Sequence, residues 1–492
     1  MSKYRKIAWI LFFAVLAIRL WLAFSSPHFE YDSYFHIRQI NHIAETGLPA
    51  FNDGLSYGGG FFVFSPLFHY IMAGLSFLIP LGIIGKILPA VLYSLMIPLG
   101  YYIAKEITGD KRISLIAPAV IAFMPVLWSN IFTLNPLSMA IPAIFYALYC
   151  LIKKRGEENI LQFIIFMTVA ALLSPVTIII IPILWLYILF LKIEKIRERG
   201  PLLELVTFST FFILLLQFLF YKNAILLNGF GVIWQNIPST ILENYFSSAG
   251  ILDIIANVGI LPFIFGLYEI YVFSFEKKER ASSLFISLTI VMGVVLWAKL
   301  IPLEIGMLLL GIGISIISVP AVKYMINYLK KIRFRKVNQV MTAVIVMFII
   351  TAFIPAIYYF QLSRTELPNE QEYNAMLWLN ENSTPRSVIV GNVNDGFFIS
   401  AVAGRRNIID ANFLVKSDAE ERLQDIETIY STSFETAALE LLNKYNAKYI
   451  FFGSNVKERF NVTALGFEDR KCFDDVFKEE NITIYKTWCE LE

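Results

Sequence analysis

Charge is scarce in this chain. Asp, Glu, Lys and Arg make up 16% of its 492 residues, against an apolar share of 57% and a mean hydropathy of +0.63. That balance excludes an ordinary soluble globule, in which about a quarter of the residues are charged. The net charge of +2 leaves no concentrated basic face, so no nucleic-acid partner is expected. With 4 histidines and 3 cysteines, no His/Cys spacing suggests a zinc site. Cys150 lies in an apolar segment, whereas Cys472 and Cys489 sit in a polar tail, where an oxidising compartment would let them pair. No internal repeat recurs, which speaks against a transporter built from inverted halves around a midplane site.

Long apolar runs are what the chain has in abundance. Stretches of the roughly 17 to 25 residues that cross hydrocarbon as a helix recur at 7–25, 86–104, 113–129, 136–152, 159–174, 176–192, 203–222, 251–274, 282–298, 301–320 and 338–360. Lys3, Arg5 and Lys6 precede the first run and Ala23-Phe24-Ser25 follows it like a cleavage site, but the spans and loop chemistry beyond favour a retained anchor. A further apolar stretch, 66–82, lies between Pro66 and Pro80. If it does not cross, the basic loops Lys105 to Arg112, Lys153 to Arg155, Lys192 to Arg199, Lys277 to Arg280 and Lys323 to Lys336 all fall on the cytoplasmic side with the N-terminus. Loops 26–85 and 223–250 and everything past 360 then face outward.

The expected fold is a mostly α polytopic membrane protein of about eleven transmembrane helices over residues 1–360, followed by an extracellular α/β domain over 361–492. In that tail, an amphipathic opening at 373–379 leads to a strand at 387–390, a turn at Asp395-Gly396 and a segment through 397–403. A helix-period run at Ala437, Leu439, Leu441 and Leu442 feeds strands at 448–452 and 482–485. Asn382, Asn461 and Asn481 head Asn-x-Ser/Thr triplets, consistent with an external tail.

Acids inside hydrocarbon cost about 2.5 to 3.5 kcal/mol on insertion scales, and the conspicuous ones here sit in loops or at span ends: Asp32, Glu243, Asp253 and Glu304. Arg19, Arg38, Lys222 and Lys299 are the bases near the same face, suited to phosphate. Each has a plainer use. Arg38 pairs with Glu30 or Asp32 to hold the loop, Arg19 and Lys299 snorkel to headgroups, His36 and His42 pack the loop, and Gly58-Gly59-Gly60 forms a flexible turn.

Phe29-Glu30-Tyr31-Asp32-Ser33-Tyr34-Phe35-His36-Ile37-Arg38, followed by Ala44-Glu45-Thr46-Gly47, resembles the first-loop signature E-F-D-P-Y-F-N-Y-R…A-E-x-G of the oligosaccharyltransferase catalytic subunit. Ser239-Thr240-Ile241-Leu242-Glu243 resembles the family's T-I-x-E or S-V-x-E loop motif. The resemblance implies a GT-C membrane bundle with an external α/β domain. It implies transfer of a saccharide from a polyprenyl-phosphate or diphosphate carrier to a protein or glycan acceptor on the external face. By position, Asp32 would bind a divalent metal, Mg²⁺ or Mn²⁺, and orient the acceptor, and Glu243 would clamp the acceptor or assist the metal. Such a cation neutralises the charge that grows on a leaving diphosphate.

This sequence departs from the family pattern twice. The second-loop Asp-x-Asp or Asp-x-Glu should fall near Phe132-Thr133-Leu134-Asn135-Pro136-Leu137, where no carboxylate stands and Asn135 offers a neutral oxygen. The W-W-D-Y-G acceptor motif is replaced by Asn392-Val393-Asn394-Asp395-Gly396-Phe397-Phe398, so Asn394, Asp395 and Gly396 become the acceptor-side candidates and recognition of an Asn-x-Ser/Thr peptide is put in doubt. The alternatives are a non-catalytic paralogue, or a transporter or flippase, that binds lipid-linked sugar.

Overall fold

The computed structural model describes residues 3–153, 156–196, 202–229, 231, 234, 236–246, 250–275, 280–467 and 471–489. The basic loops expected at 153–155, 192–199 and 277–280 lie partly outside the described residues. Two compact units emerge. One comprises Met1–Pro27, Gly82–Phe220 and Tyr245–Thr365, and the other His28–Leu81, Tyr221–Asn244 and Glu366–Glu492.

In the first unit every expected span falls on helix, but the helices are not alike. Among the described residues, Lys3–Ala23, Leu81–Thr108, Pro175–Ile193, Leu202–Asn228, Arg280–Trp297, Leu303–Lys331 and the run opening at Val337 make 7 helices long and apolar enough to cross a membrane. Ile251–Val258 and Ile260–Phe273 form an eighth only as a pair bent by 113°. The bend has a local cause: Gly259 adopts φ 98, a backbone conformation that side chains rarely take. The stretch expected at 113–129 is broken into Ile116–Ala122 and Pro125–Ser129, because Met124 turns extended and Pro125 has no N–H to continue the first helix. Leu137–Ile152 and Glu157–Leu173 have 16 and 17 residues. At 1.5 Å per residue they reach only about 24 to 26 Å, short of the roughly 30 Å hydrocarbon core. Residues 66–82 carry a helix of 10 residues, Leu67–Ser76, too short to cross.

Leu303–Lys331 is the buried axis of this unit, with 94% of its most apolar window inside the protein. Gly306, Gly311 and Gly313 let neighbours approach closely. A Cβ at Gly306 would clash with Leu296, one at Gly313 with Leu288, and one at Gly311 would stand 2.8 Å from Met124 Sδ.

The second unit is α/β. A small antiparallel ladder pairs β1 (Asn52–Asp53) with β2 (Gly60–Phe61). The main sheet is built from β3 (Val388–Val390), β4 (Arg406–Asn407), β5 (Ala447–Phe452), β6 (Phe473–Glu479) and β7 (Ile482–Thr487), in the order β4-β3-β5-β7-β6. β4, β3 and β5 run parallel, while β7 and β6 are antiparallel to their neighbours. Cys472 and Cys489 are joined in a disulfide across the foot of the β6–β7 hairpin.

The turn expected at Asp395-Gly396 and the segment after it are helical, Val393–Phe398 continuing as a π-turn over Ile399–Ala403. Asn392 and Asp395 start that helix: Asn392 Oδ1 accepts from Val393 N at 2.7 Å, and Asp395 Oδ2 accepts from Asn392 N at 3.1 Å. β4, β6 and the helix Ala419–Ser431 were not expected from the sequence; β6 alternates charge with aromatics and reads as a loop.

First-loop and tail residues share one core in this unit. Tyr31, Tyr34, Phe62 and Phe64 are buried with Met376, Ile389, Phe398, Tyr449, Phe451 and Ile484. Gly396 is a tight point beneath it, since a Cβ would collide with the Ile409 carbonyl and the Asp410 backbone, neither of which can turn away. Gly396→Ala is therefore expected to destabilise this unit by about 1 to 3 kcal/mol. The loss reads as a lower melting temperature of the detergent-solubilised chain, with exposed Asn394→Ala as the unchanged control.

Candidate functional site

Asp32 stands at the N-terminus of the helix Ser33–Thr46, where an Asp side chain ordinarily accepts from the backbone N–H of the second or third helical residue. Here its backbone is itself helical (φ −65, ψ −24) and the carboxylate makes no capping bond. The three N–H groups of Ser33, Tyr34 and Phe35 turn back instead onto Glu30 O, Tyr31 O and Asp32 O at 3.0, 3.1 and 3.3 Å. The carboxylate is therefore not consumed by capping.

The surroundings of Asp32 are acidic. Its side chain is exposed but ringed by protein, and that crowding, with the Glu30 and Asp410 carboxylates adding to it, pushes its carboxyl up to about 7. Asp410 is fully buried, and burial raises its carboxyl too, against hydrogen bonds that favour the charged form. Those bonds occupy both its oxygens: Oδ2 accepts from Ser56 Oγ at 2.6 Å and Asn407 Nδ2 at 3.0 Å, and Oδ1 from Asn412 N at 3.0 Å.

The glycine run beside these acids makes the turn between β1 and β2. Gly58 and Gly59 hold φ 71 and 132, a region closed to most side chains, and Gly60 gives the Lys416 ammonium the space a Cβ would fill. Lys416 sits 4.9 Å from the centroid of the buried Tyr57 ring, and the Arg422 guanidinium lies 5.2 Å from the same ring. Tyr57 donates its hydroxyl to Asp410 O at 2.9 Å and its N–H to Asn407 Oδ1 at 2.8 Å. Burial lowers the Lys416 ammonium, with the Asp410 charge working the other way. Among the described residues, the Asn412 Nδ2 donor is buried without a partner.

The residues singled out from sequence are distributed as follows. Arg38 is paired with Asp53, rather than with Glu30 or Asp32. Glu243 shares the second unit with Asp32, in the helix Ser239–Tyr245, where it is exposed and makes no ion pair among the described residues. That helix is tied to the tail through its start, as Ser239 N donates to Glu420 Oε2 at 2.8 Å, and Asn228 Nδ2 donates to Leu414 O at 2.9 Å. The acids acting on Asp32 are Glu30 and Asp410, with Glu243 not among them. Asp395 is fully buried and spent on structure, accepting from Asn392 N and from Asn455 Nδ2 at 3.1 Å each; burial pushes its carboxyl up to about 7. Gly396 is buried as well, leaving Asn394 as the exposed member of the three acceptor-side candidates.

In the first unit, Asn135 Oδ1 accepts from Leu137 N at 3.1 Å, a local start for the next helix. Arg19 is buried, donating to Leu127 O at 3.0 Å with its guanidinium 5.8 Å from the Trp128 ring, so it does not reach for headgroups. Lys299 is exposed at a turn with φ 55. Among the described residues no group of three or more His, Cys, Asp or Glu side chains is arranged to hold a metal.

Sequence reasoning missed Tyr57, Asp410, Asn412 and Lys416. The signal available was an acid directly after the apolar pair Ile408-Ile409, the pattern of a residue at the end of a buried strand.

No protein-family model matches the chain, and no curated protein matches it by sequence. Solved structures do. The apo oligosaccharyltransferase of Archaeoglobus fulgidus superposes with a TM-score of 0.65 at 14% identity, covering 91% of this chain and 70% of its own. AglB from the same organism, in complex with an inhibitory peptide and a dolichol-phosphate, gives 0.64 at 15%, covering 92% and 70%. ArnT from Cupriavidus metallidurans, bound to undecaprenyl phosphate, gives 0.60 at 10%, covering 97% of both chains. The fold is that of a multi-pass GT-C membrane protein of the oligosaccharyltransferase-like type, with an α/β domain towards the C-terminus.

A proton on Asp32 competes with any cation it binds. Because burial and the neighbouring acids push its carboxyl up to about 7, Mn²⁺ held by Asp32 would lose about tenfold in affinity per pH unit below 7 and level off above. Calorimetric titration from pH 5.5 to 8.5 checks this, and Asp32→Asn should flatten the profile.

Proposed function

We propose that this chain is a membrane glycosyltransferase that moves a saccharide from a polyprenyl-phosphate or diphosphate carrier to an acceptor on the external face. The observation that carries the reading is Asp32: a carboxylate in the first-loop signature, released from helix capping and set in an acidic surround. The lipid-linked donor is supported by the fold's relatives, of which AglB was solved with a dolichol-phosphate and ArnT with undecaprenyl phosphate.

The donor set fits a hard divalent cation in a limited way. Asp410 is fully buried and both its oxygens already accept hydrogen bonds, so the exposed Asp32 would hold the ion with Glu30 reinforcing the negative field. Mg²⁺ is often held by one or two carboxylates, completed by water and substrate phosphates. When bound, such an ion offsets the charge that develops on the departing phosphate. The protein's own contribution is orientation. Tyr31, packed edge-on against Phe398 with its hydroxyl on Glu372 at 2.8 Å, fixes the chain immediately before Asp32. Glu243 and Asn394, both exposed, are assigned to the acceptor, which is a peptide or a glycan.

A cytoplasmic N-terminus and an external tail are supported by the Lys105 to Arg112 and Lys323 to Lys336 loops and by the Cys472–Cys489 disulfide, which suits an oxidising compartment. A carrier-binding protein without transferase activity is the second reading, favoured by the engagement of Asn135 in a local helix start where the family has acids.

The purified chain, supplied with radiolabelled polyprenyl-linked sugars and Mg²⁺ or Mn²⁺, should release carrier phosphate and label an acceptor. Asp32→Asn should lower that rate at least 100-fold while carrier binding is retained. Binding without turnover in the unsubstituted protein would support the second reading instead.

A further inference from the structure

Three Asn-x-Ser/Thr triplets lie in the tail, and the fold treats them differently. Enzymatic transfer to such a triplet needs the carboxamide nitrogen accessible and the hydroxyl two residues on available for recognition. At Asn382, Nδ2 is committed to Trp378 O at 2.9 Å, and the Thr384 hydroxyl is paired with Ser387 Oγ at 2.9 Å. At Asn481 the asparagine is exposed in the β6–β7 turn, but Thr483 is 7% exposed and locked in β7, opposite Phe452 and Lys478.

Asn461-Val462-Thr463 meets both requirements. Asn461 ends the helix Ser454–Phe460 in the left-handed conformation (φ 51), its backbone N–H returning to Lys457 O, which turns the chain out of the helix. Asn461 and Thr463 are both exposed, and neither side chain makes a hydrogen bond among the described residues. No strand runs through the triplet, so presenting it to an extended-peptide groove breaks no sheet ladder.

We propose that Asn461 is an acceptor for an Asn-linked glycan on the folded tail. The co-reactant is a saccharide on a polyprenyl phosphate or diphosphate. The Asn461 Nδ2–C1 bond forms as the C1–O bond to the carrier breaks, the carrier leaves as its phosphate or diphosphate, and the carboxamide proton passes to a base of the transferring enzyme. The inference rests on the external placement of the tail proposed above, and not on this chain's own catalytic activity.

The test uses the full chain, isolated from the membranes of a host whose envelope proteins carry Asn-linked glycans. Peptide mass spectrometry should find Asn461 occupied at least tenfold above Asn382 and Asn481. Asn461→Gln and Thr463→Ala should each remove one glycan mass, while Thr463→Ser retains it. In parallel, Ala464→Cys in intact cells is probed with a membrane-impermeant maleimide. A labelled tail with Asn461 unoccupied overturns the site and leaves the external placement standing, whereas an unlabelled tail overturns both. Equal occupancy of all three asparagines contradicts selection by the folded conformation.

Discussion

The aromatic core shared by the first loop and the tail is the constraint on which the candidate site depends. Tyr31 and Tyr34 flank Asp32 in sequence and both pack against Phe398, 5.7 and 4.8 Å between ring centroids. Phe398 itself belongs to a helix whose next-door Gly396 is pressed onto the Asp410 backbone. Burying such rings contributes about 1.5 to 3 kcal/mol each, which is enough to hold like charges together. That packing sets Asp32 in the field of Asp410, more than 350 residues away in the chain. Neither segment could form this environment alone.

The polar contacts follow the same logic. Glu372 is buried yet satisfied three times over, by Tyr31 from the loop and by the Asn369 and Ser454 N–H groups from the tail. Losing one partner of such a buried group costs about 1 to 3 kcal/mol. Tyr57, Asn407, Asp410 and Arg422 form a second such knot, bonded through backbone as well as side chains. Glycine supplies the room: Gly60 for an ammonium and Gly396 for a carbonyl.

Much of this fold was legible in the sequence because span-length apolar runs and a polar tail are coarse signals. Asp32 stood out from its aromatic and acidic neighbours. Span geometry was not legible: the break at Met124-Pro125 and the 113° bend at Gly259 arise from single residues inside otherwise uniform apolar stretches. Asp395 misled for a different reason. An acid beside a glycine reads as a turn or a ligand, and only the tertiary fold reveals that Asn392 and Asn455 consume it. Asp410 and Lys416 escaped because their meaning lies in contacts with residues 53–60, which no local pattern discloses.

The central claim is that tail and first loop together tune the Asp32 carboxyl. The direct measurement is its titration by ¹³C NMR in the detergent-solubilised chain, assigned by comparison with Asp32→Asn, and repeated in Asp410→Asn. A midpoint near 7 that falls measurably, but only part of the way towards the ordinary aspartate range, in Asp410→Asn is the predicted result, because burial and Glu30 both outweigh Asp410 in raising it. A midpoint near 4 in both proteins would contradict the account.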